Sequence, residues 1–248
     1  MKAFLLIVRL TVRQLLGGKR IWALGALAAL PAVVMFFGGR DRTAEDAFEF
    51  FHEAPLATMF LVVLPIIPLI LGAAALGDER RQHTLSFIAL RPLPRWNIVV
   101  AKLTGAWVAS FAVTGSGSLL LAVALGTSGG GWGPTLPVVL GAAISTLAYA
   151  ALFIVLGYLF ERAVIFGLAY IFLWEAVFTS SAPGLAPASL GRIGLSAYAA
   201  LVDGAPRLLA DPLGSLAPGA GGAILKTAFL AALVVAGLSR LFVKRDLV

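Results

Sequence analysis

Glu175 is the residue of this sequence whose type and position most clearly call for a chemical explanation. It is the one acidic side chain within a predicted membrane span. An ionised carboxylate at such a position costs at least about 2.5 kcal/mol on insertion scales, so it should face protein or a water-filled cavity. Two roles follow, a contact on a translocation path or a polar contact across a dimer interface. The alternative is a protonated or hydrogen-bonded carboxyl without such a role, or one near the outer end of its span.

Other polar side chains within apolar segments are weaker candidates for a site. Thr114 and Ser116 place hydroxyls in the middle of another span, where they have the same two roles open to them. The alternative is that these hydroxyls bond to carbonyls of their own helix. Lys226, in the last span, is expected to extend to the outer surface, with an ion pair to Glu175 as the less favoured arrangement.

Catalytic and metal-binding chemistry finds little support in the sequence. There is no cysteine, and the two histidines, His52 and His83, are predicted in loops on opposite sides of the membrane. No metal site and no catalytic residue are therefore assigned. Neither Gly-Lys-Ser nor Gly-Lys-Thr occurs, so the phosphate-binding loop of an ATPase is missing from this chain. An intramembrane enzyme would need more polar groups in the spans than Glu175 alone supplies.

The composition indicates that lipid surrounds most of the chain. Of 248 residues, 60% are hydrophobic and 12% are charged, whereas soluble domains contain about 25% charged residues. About 20 apolar residues are needed to cross the hydrocarbon core as a helix. The sequence therefore predicts an all-α polytopic membrane protein, a single domain over residues 1–248, with transmembrane helices at about 21–39, 56–77, 97–126, 135–160, 163–181 and 219–241.

The charges that flank these six spans predict their orientation. Residues 1–20 carry only basic charges, the loop after the first span is mainly acidic, and the loop after the second is mainly basic. Because cytoplasmic loops carry the excess of Lys and Arg, both termini are predicted in the cytoplasm. The net charge of +7 is assigned to this orientation, and nucleic acid is not expected as a partner.

Three segments outside the spans have patterns of their own. Residues 1–20 are interpreted as an amphipathic helix on the inner membrane surface rather than a cleaved signal peptide. Residues 182–218 form a long outer segment of low charge, within which 193–202 is compatible with a short helix. The acidic stretch 44–53 is compatible with a second outer helix. The apolar face of the N-terminal helix comprises Leu5, Val8, Val12, Leu15 and Leu16.

The inner loop between the second and third spans is predicted to contain a helix over residues 78–91. Asp78 and Glu79 suit a helix N-terminus, because negative charge is favourable there. Pro92 and Pro94 would end the helix before the next span. A short helix with an exposed apolar patch suits docking of a cytosolic partner, and the alternative is a helix that rests on lipid. The docking residues would be Glu79, Arg80, Thr84, Phe87, Ile88 and Arg91.

The same loop carries an ordered series of motifs. An acidic residue precedes Thr84-Leu85, an apolar stretch leads to Arg91-Pro-Leu-Pro-Arg-Trp96, and Lys102 follows a further apolar run. This series resembles the hallmark of ABC-2 type transporter permeases, in which the segment is the coupling helix. Residues 1–20 resemble the connecting helix of that family, and 170–175 with 196–201 resemble its fifth span and outer segment. His83 departs from the pattern, since family members commonly have Gly there.

The resemblance implies a function and a set of partners. The chain would be the permease of an ABC exporter in the plasma (inner) membrane, moving a lipophilic or amphipathic substrate outward. ATP and Mg would be bound by a separate ATP-binding subunit, present in two copies, beside a second permease that is identical or homologous. No cofactor is expected in this chain. The alternatives are a sensor or assembly subunit of an ABC-like complex and a secondary transporter.

Overall fold

The computed structural model describes residues 2–82, 94–179, 187–209, 213 and 219–245, and these residues contain helices and turns but no strand. The α-helices are α1 (Lys2–Leu16), α2 (Arg20–Gly39), α3 (Ala44–Glu53), α4 (Pro55–Thr58), α5 (Leu64–Arg81), α6 (Arg95–Thr127), α7 (Thr135–Leu159), α8 (Ala163–Ala169), α9 (Leu190–Ala199), α10 (Ala205–Leu208) and α11 (Ala220–Arg245). Two π-helical segments, Met59–Val63 and Tyr170–Phe178, continue α4 into α5 and extend α8.

Five helical stretches of the described chain are long and apolar enough to cross a membrane. A shorter apolar helix, Ala163–Phe178, lies at the predicted fifth span. The predicted end of that span, at 181, is outside the described residues. The all-helical membrane architecture is thus confirmed, while the count of six spans stays a prediction. The five stretches are Arg20–Gly39, Ala44–Arg81, Arg95–Thr127, Thr135–Leu159 and Ala220–Phe242.

The centre of the bundle consists of α5, α6 and α7, with α1 and α2 against α6 and with α11 against α7. Small residues set how closely these helices approach. A Cβ added at Gly157 would lie 2.1 Å from the carbonyl oxygen of Ala73, and one at Gly117 would lie 2.5 Å from that of Ala28. Between apolar helices in lipid no hydrophobic force drives association, so close backbone packing of this kind stabilises the bundle.

The first π segment ends directly before two prolines of α5, Pro65 and Pro68. Proline has no N–H to donate to the helical hydrogen-bond ladder. The wider π turn therefore lies next to positions where proline already removes a backbone hydrogen bond of the α-helix. The helix nevertheless continues from Pro55 to Arg81, so these prolines do not end the span.

Local structure differs from the sequence interpretation at three places. Asp78 and Glu79 lie in the last turns of α5 and not at the start of a new helix, because α5 continues through Gly77 and its last turn finds partners in α6 and α7. His52 lies in α3 and is buried, not in a loop. The short helix of the outer segment begins at Leu190 rather than near residue 193, because Ser189 caps it by accepting a hydrogen bond from the Arg192 N–H.

Candidate functional site

A buried ion pair joins α5 to α6 at the end of the bundle that we name the basic end, where Arg20, Arg80, Arg81 and Lys102 lie. The Lys102 ammonium donates a hydrogen bond to Glu79 Oε1. Only 4% of the Lys102 side chain and 11% of the Glu79 side chain are exposed. Glu79 is two residues from the end of α5, where the carbonyl end of the helix disfavours negative charge. The neighbouring cation offsets this effect.

The last turn of α5 has further polar contacts at the basic end. The Arg80 guanidinium donates to the carbonyl oxygens of Tyr158 and Leu159, each at 2.8 Å, where α7 ends. These carbonyls belong to the terminal turn of α7, which leaves its acceptors without partners in its own helix. Asp78 pairs with Arg81 and lies 3.8 Å from Arg20 at the start of α2. The end of α5 is therefore tied to α2, α6 and α7.

The predicted docking residues fall on both sides of a gap in the described chain. Glu79 is buried against Lys102, and Arg80 is part-buried against α7. Thr84, Phe87, Ile88 and Arg91 lie outside the described residues. The structure thus gives the contacts of the first two residues, and the docking role of the set stays a prediction.

Glu175 lies at the N-terminus of α9, beside Tyr149 in the middle of α7 and away from the basic end. Its Oε1 accepts hydrogen bonds from the Tyr170 hydroxyl at 3.0 Å and from the Leu190 N–H at 2.8 Å. Its Oε2 accepts one from the Ser189 hydroxyl. We name this group, Tyr170, Glu175, Ser189 and Leu190, the Glu175 cluster. Both carboxylate oxygens are thereby engaged by neutral donors, and the group fixes the π segment to α9.

The α9 helix that Glu175 caps is itself buried among other helices. It packs against α7 and α11, and every residue except Arg192 is buried. At its other end the Tyr198 hydroxyl lies 2.8 Å from His52 Nε2, and His52 Nδ1 lies 2.8 Å from the carbonyl oxygen of Phe48. Because a carbonyl only accepts, Nδ1 carries the proton and Nε2 accepts from tyrosine. The outer segment is therefore held into the bundle at both ends of α9.

The mid-span hydroxyls have different surroundings. Thr114 is buried and bonds to the carbonyl oxygen of Ser110 at 3.1 Å and to the Thr146 hydroxyl at 3.0 Å, which joins α6 to α7. Ser116 is exposed on the surface of the bundle and donates to the Val113 carbonyl oxygen at 2.8 Å. The structure thus does not bring Thr114, Ser116 and Glu175 into one cluster. Their place on a path or at a dimer interface stays a prediction.

Lys226 is exposed on α11, and no ion pair joins it to Glu175 within the described part of the chain. An apolar cavity of about 160 Å³ lies nearby, between α6, α7 and α11. Among the residues described, no group of three or more His, Asp or Glu side chains could hold a metal ion. The cavity is lined by Trp107, Ala143, Ile144, Leu147, Ile224, Thr227 and Ala228.

Sequence reasoning missed the partners of the polar residues. The sequence interpretation includes Lys102 in the motif series of the inner loop but assigns it no partner, although its position two turns inside α6 indicates a lysine that needs a buried partner. Ser189 and Tyr170 were not linked to Glu175, and Tyr198 was not linked to His52. Tyr170 precedes Glu175 by five residues, which in a π helix brings their side chains together. The other pairings join distant segments, for which the sequence holds no spacing signal.

Comparison with known proteins adds a family to this geometry. A family model described as "ABC-2 family transporter protein" matches residues 18–176, well over half of the 248-residue chain. The match begins just before α2 and includes both Glu79 and Glu175. No curated protein matches the chain.

Proposed function

Because this chain belongs to the ABC-2 family of transporter proteins, we propose that it is the permease subunit of an ATP-driven exporter. The family match is the observation that carries the proposal. Membership supports a multi-pass membrane permease of an ABC transporter and implies association with an ABC ATP-binding subunit. Such a subunit is a component of membrane transport and is not itself catalytic. Export as the direction of transport and the nature of the cargo are the parts that we add.

In the proposed orientation the protein lies in the plasma (inner) membrane, with the basic end of the bundle and both termini in the cytoplasm. Arg20, Arg80, Arg81 and Lys102 lie at this end, whereas the turn and helix that follow α2 are mainly acidic. Lys and Arg are enriched in cytoplasmic loops, which supports this arrangement. In it, α1 lies on the inner membrane surface and the acidic helix α3 lies on the outer side.

The proposed motor is a separate ATP-binding subunit that docks on the connection between α5 and α6. Thr84, Phe87, Ile88 and Arg91 would contact it, with Glu79 and Arg80 supporting them from the end of α5. ATP and Mg would be bound by two such subunits, beside a second permease that is identical or homologous. A lipophilic or amphipathic cargo is favoured because the spans contain few charged side chains and the cavity beside Trp107 is apolar.

Reconstitution with the ATP-binding subunit encoded nearby would test the docking role. We expect Phe87→Asp or Arg91→Glu to prevent complex formation and to abolish stimulation of ATP hydrolysis by the permease. Arg207→Glu, on the exposed surface of α10, is the matched charge reversal and should leave both intact. Full coupling in Phe87→Asp and Arg91→Glu would contradict the docking assignment.

Topology and transport need separate measurements. The chain has no cysteine, so Ser86→Cys can be labelled without background, and we expect labelling only from the cytoplasmic face. Labelling only from outside would overturn the orientation. In inverted vesicles an exporter should accumulate cargo when ATP is supplied. ATP hydrolysis without cargo movement would instead indicate a sensor or assembly role, and uptake driven by an ion gradient alone a secondary transporter.

A further inference from the structure

The Glu79–Lys102 ion pair bridges two helices that are consecutive in the chain but joined by a long connection. The α5 helix ends at Arg81 and α6 begins at Arg95. Lys102 is about two turns inside α6, and the Lys102 side chain is almost fully buried. The contact therefore lies inside the bundle, between α5 and α6.

Burial makes this contact informative about mechanical coupling between the helices. Removing two charges from water is costly, and apolar residues of similar volume would stabilise a bundle equally well or better. A buried pair does, however, tolerate few arrangements, because the attraction between its members is strong in a medium of low polarity and falls as they separate. The pair consequently fixes the spacing of α5 and α6 more strictly than apolar contacts would.

The neighbouring residue extends this connection to a third helix. Arg80 donates to the two carbonyl oxygens at the end of α7, each at 2.8 Å. Adjacent residues of α5 therefore reach in two directions, Glu79 to α6 and Arg80 to α7. By contrast, the Arg81 side chain, which pairs with Asp78, is 52% exposed. The two inward contacts are thus distinct from the exposed ion pair beside them.

We propose that Glu79 and Lys102 are positioning residues that hold α5 and α6 at a fixed spacing, so that the two helices move as one unit. Arg80 adds α7 to this unit. Applied to transport, the inference rests on the proposed function, since it concerns how a displacement at the basic end reaches the spans. The spacing itself can be measured in the permease alone.

The first test measures that spacing without any ATP-binding subunit. Spin labels at Gln82→Cys and Trp96→Cys, both at exposed positions, report the distance between the ends of α5 and α6 by pulsed EPR. We expect Glu79→Gln and Lys102→Gln each to broaden the distance distribution, and the reversed pair Glu79→Lys with Lys102→Glu to restore it. An unchanged distribution in both single variants, or no restoration in the reversed pair, overturns the proposal.

The second test measures cargo moved per ATP hydrolysed in the reconstituted complex. Each single variant should lower this ratio about tenfold, within the range found for residues that link distant sites, and the reversed pair should recover most of it. Glu49→Gln on α3 and Arg207→Gln on α10, both exposed neutralisations, serve as controls and should not change the ratio. Unchanged ratios in Glu79→Gln and Lys102→Gln overturn the coupling role.

The two tests separate failure of the inference from failure of the proposed function. If the parent complex moves no cargo with ATP, the exporter assignment fails, whereas the EPR distances still decide whether the pair sets the spacing. If the parent complex transports and the single variants keep their distances, the positioning role fails and the exporter assignment stands. If a single variant yields less folded protein and the reversed pair recovers that yield, the result supports the pair as a structural contact between α5 and α6.

Discussion

At the basic end of the bundle Glu79 is joined to a cation, whereas Glu175, beside the start of α9, is joined to hydroxyls and a backbone N–H. Both carboxylates connect helices that are separate in the chain. Glu79 lies near the C-terminus of α5, where backbone carbonyls already present partial negative charge. Glu175 meets the N-terminus of α9, where backbone N–H groups present partial positive charge.

In this protein the kind of partner that each buried carboxylate has follows from the helix end nearest to it. Beside the N–H groups of α9, neutral donors are sufficient, and this is consistent with the absence of an ion pair between Glu175 and Lys226 within the described chain. Beside the carbonyl groups of α5, a full positive charge is needed, and Lys102 supplies it. Neutralising substitutions should therefore have unequal effects at the two sites.

The largest effect is expected from Lys102→Gln, which removes the buried cation that α6 supplies to the Glu79 carboxylate. Breaking a buried pair by removing one partner costs about 3 kcal/mol or more, so the free energy of unfolding in detergent micelles should fall by that order. Glu79→Gln combined with Lys102→Gln should be less destabilised than Lys102→Gln alone, because no unpaired charge remains. A double variant that is as unstable as the sum of the two single variants would contradict the pairing.

A smaller effect than that of Lys102→Gln is expected from Glu175→Gln, because an acceptor remains and no charge is left buried. Glu175→Leu leaves the Tyr170 and Ser189 hydroxyls and the Leu190 N–H without this acceptor, and each donor that stays unsatisfied costs about 1–3 kcal/mol. Glu175→Gln retains a carbonyl oxygen, so it should lose less. Unfolding in micelles and hydrogen exchange at Leu190 measure both changes. A loss for Glu175→Gln as large as that for Lys102→Gln would break the comparison.

The sequence predicted most of the helices, because apolar runs of the required length leave few other structures. The boundaries of α2, α6 and α7 follow the apolar runs within a few residues, and the turn between α6 and α7 falls at 128–134, a stretch rich in Gly that ends in Pro. The exception at 78–81 has a physical cause. In the sequence, charged residues at the end of a span suggest that a new helix begins there. In the structure Glu79 and Arg80 stay in α5, because α6 and α7 supply their partners.

The candidate site was less predictable than the helices. Glu175 stood out because a lone acid in an apolar run is anomalous. The partners of Glu175 could not be identified in the same way. Ser189 and Leu190 come from a segment whose position beside Glu175 depends on tertiary packing. The same holds for Lys102, which sits 23 residues from Glu79 in sequence. Pairings of this kind follow from how helices pack, and periodicity within one helix carries no information about them.

The smallest effect is expected from Arg81→Gln, although Arg81 is in the same turn of α5 as Arg80. The Arg81 side chain is 52% exposed, pairs with Asp78 and donates to the Glu161 carbonyl oxygen in an exposed contact at 3.2 Å. Water screens such pairs, and they contribute about 0.5 kcal/mol or less. Stability should therefore change little, and whatever small loss occurs should vanish in high salt, whereas the loss in Lys102→Gln should persist because salt screens buried charges weakly. A salt-independent loss of several kcal/mol in Arg81→Gln would show that burial does not distinguish the two pairs, and the comparison between inward and exposed contacts would fail.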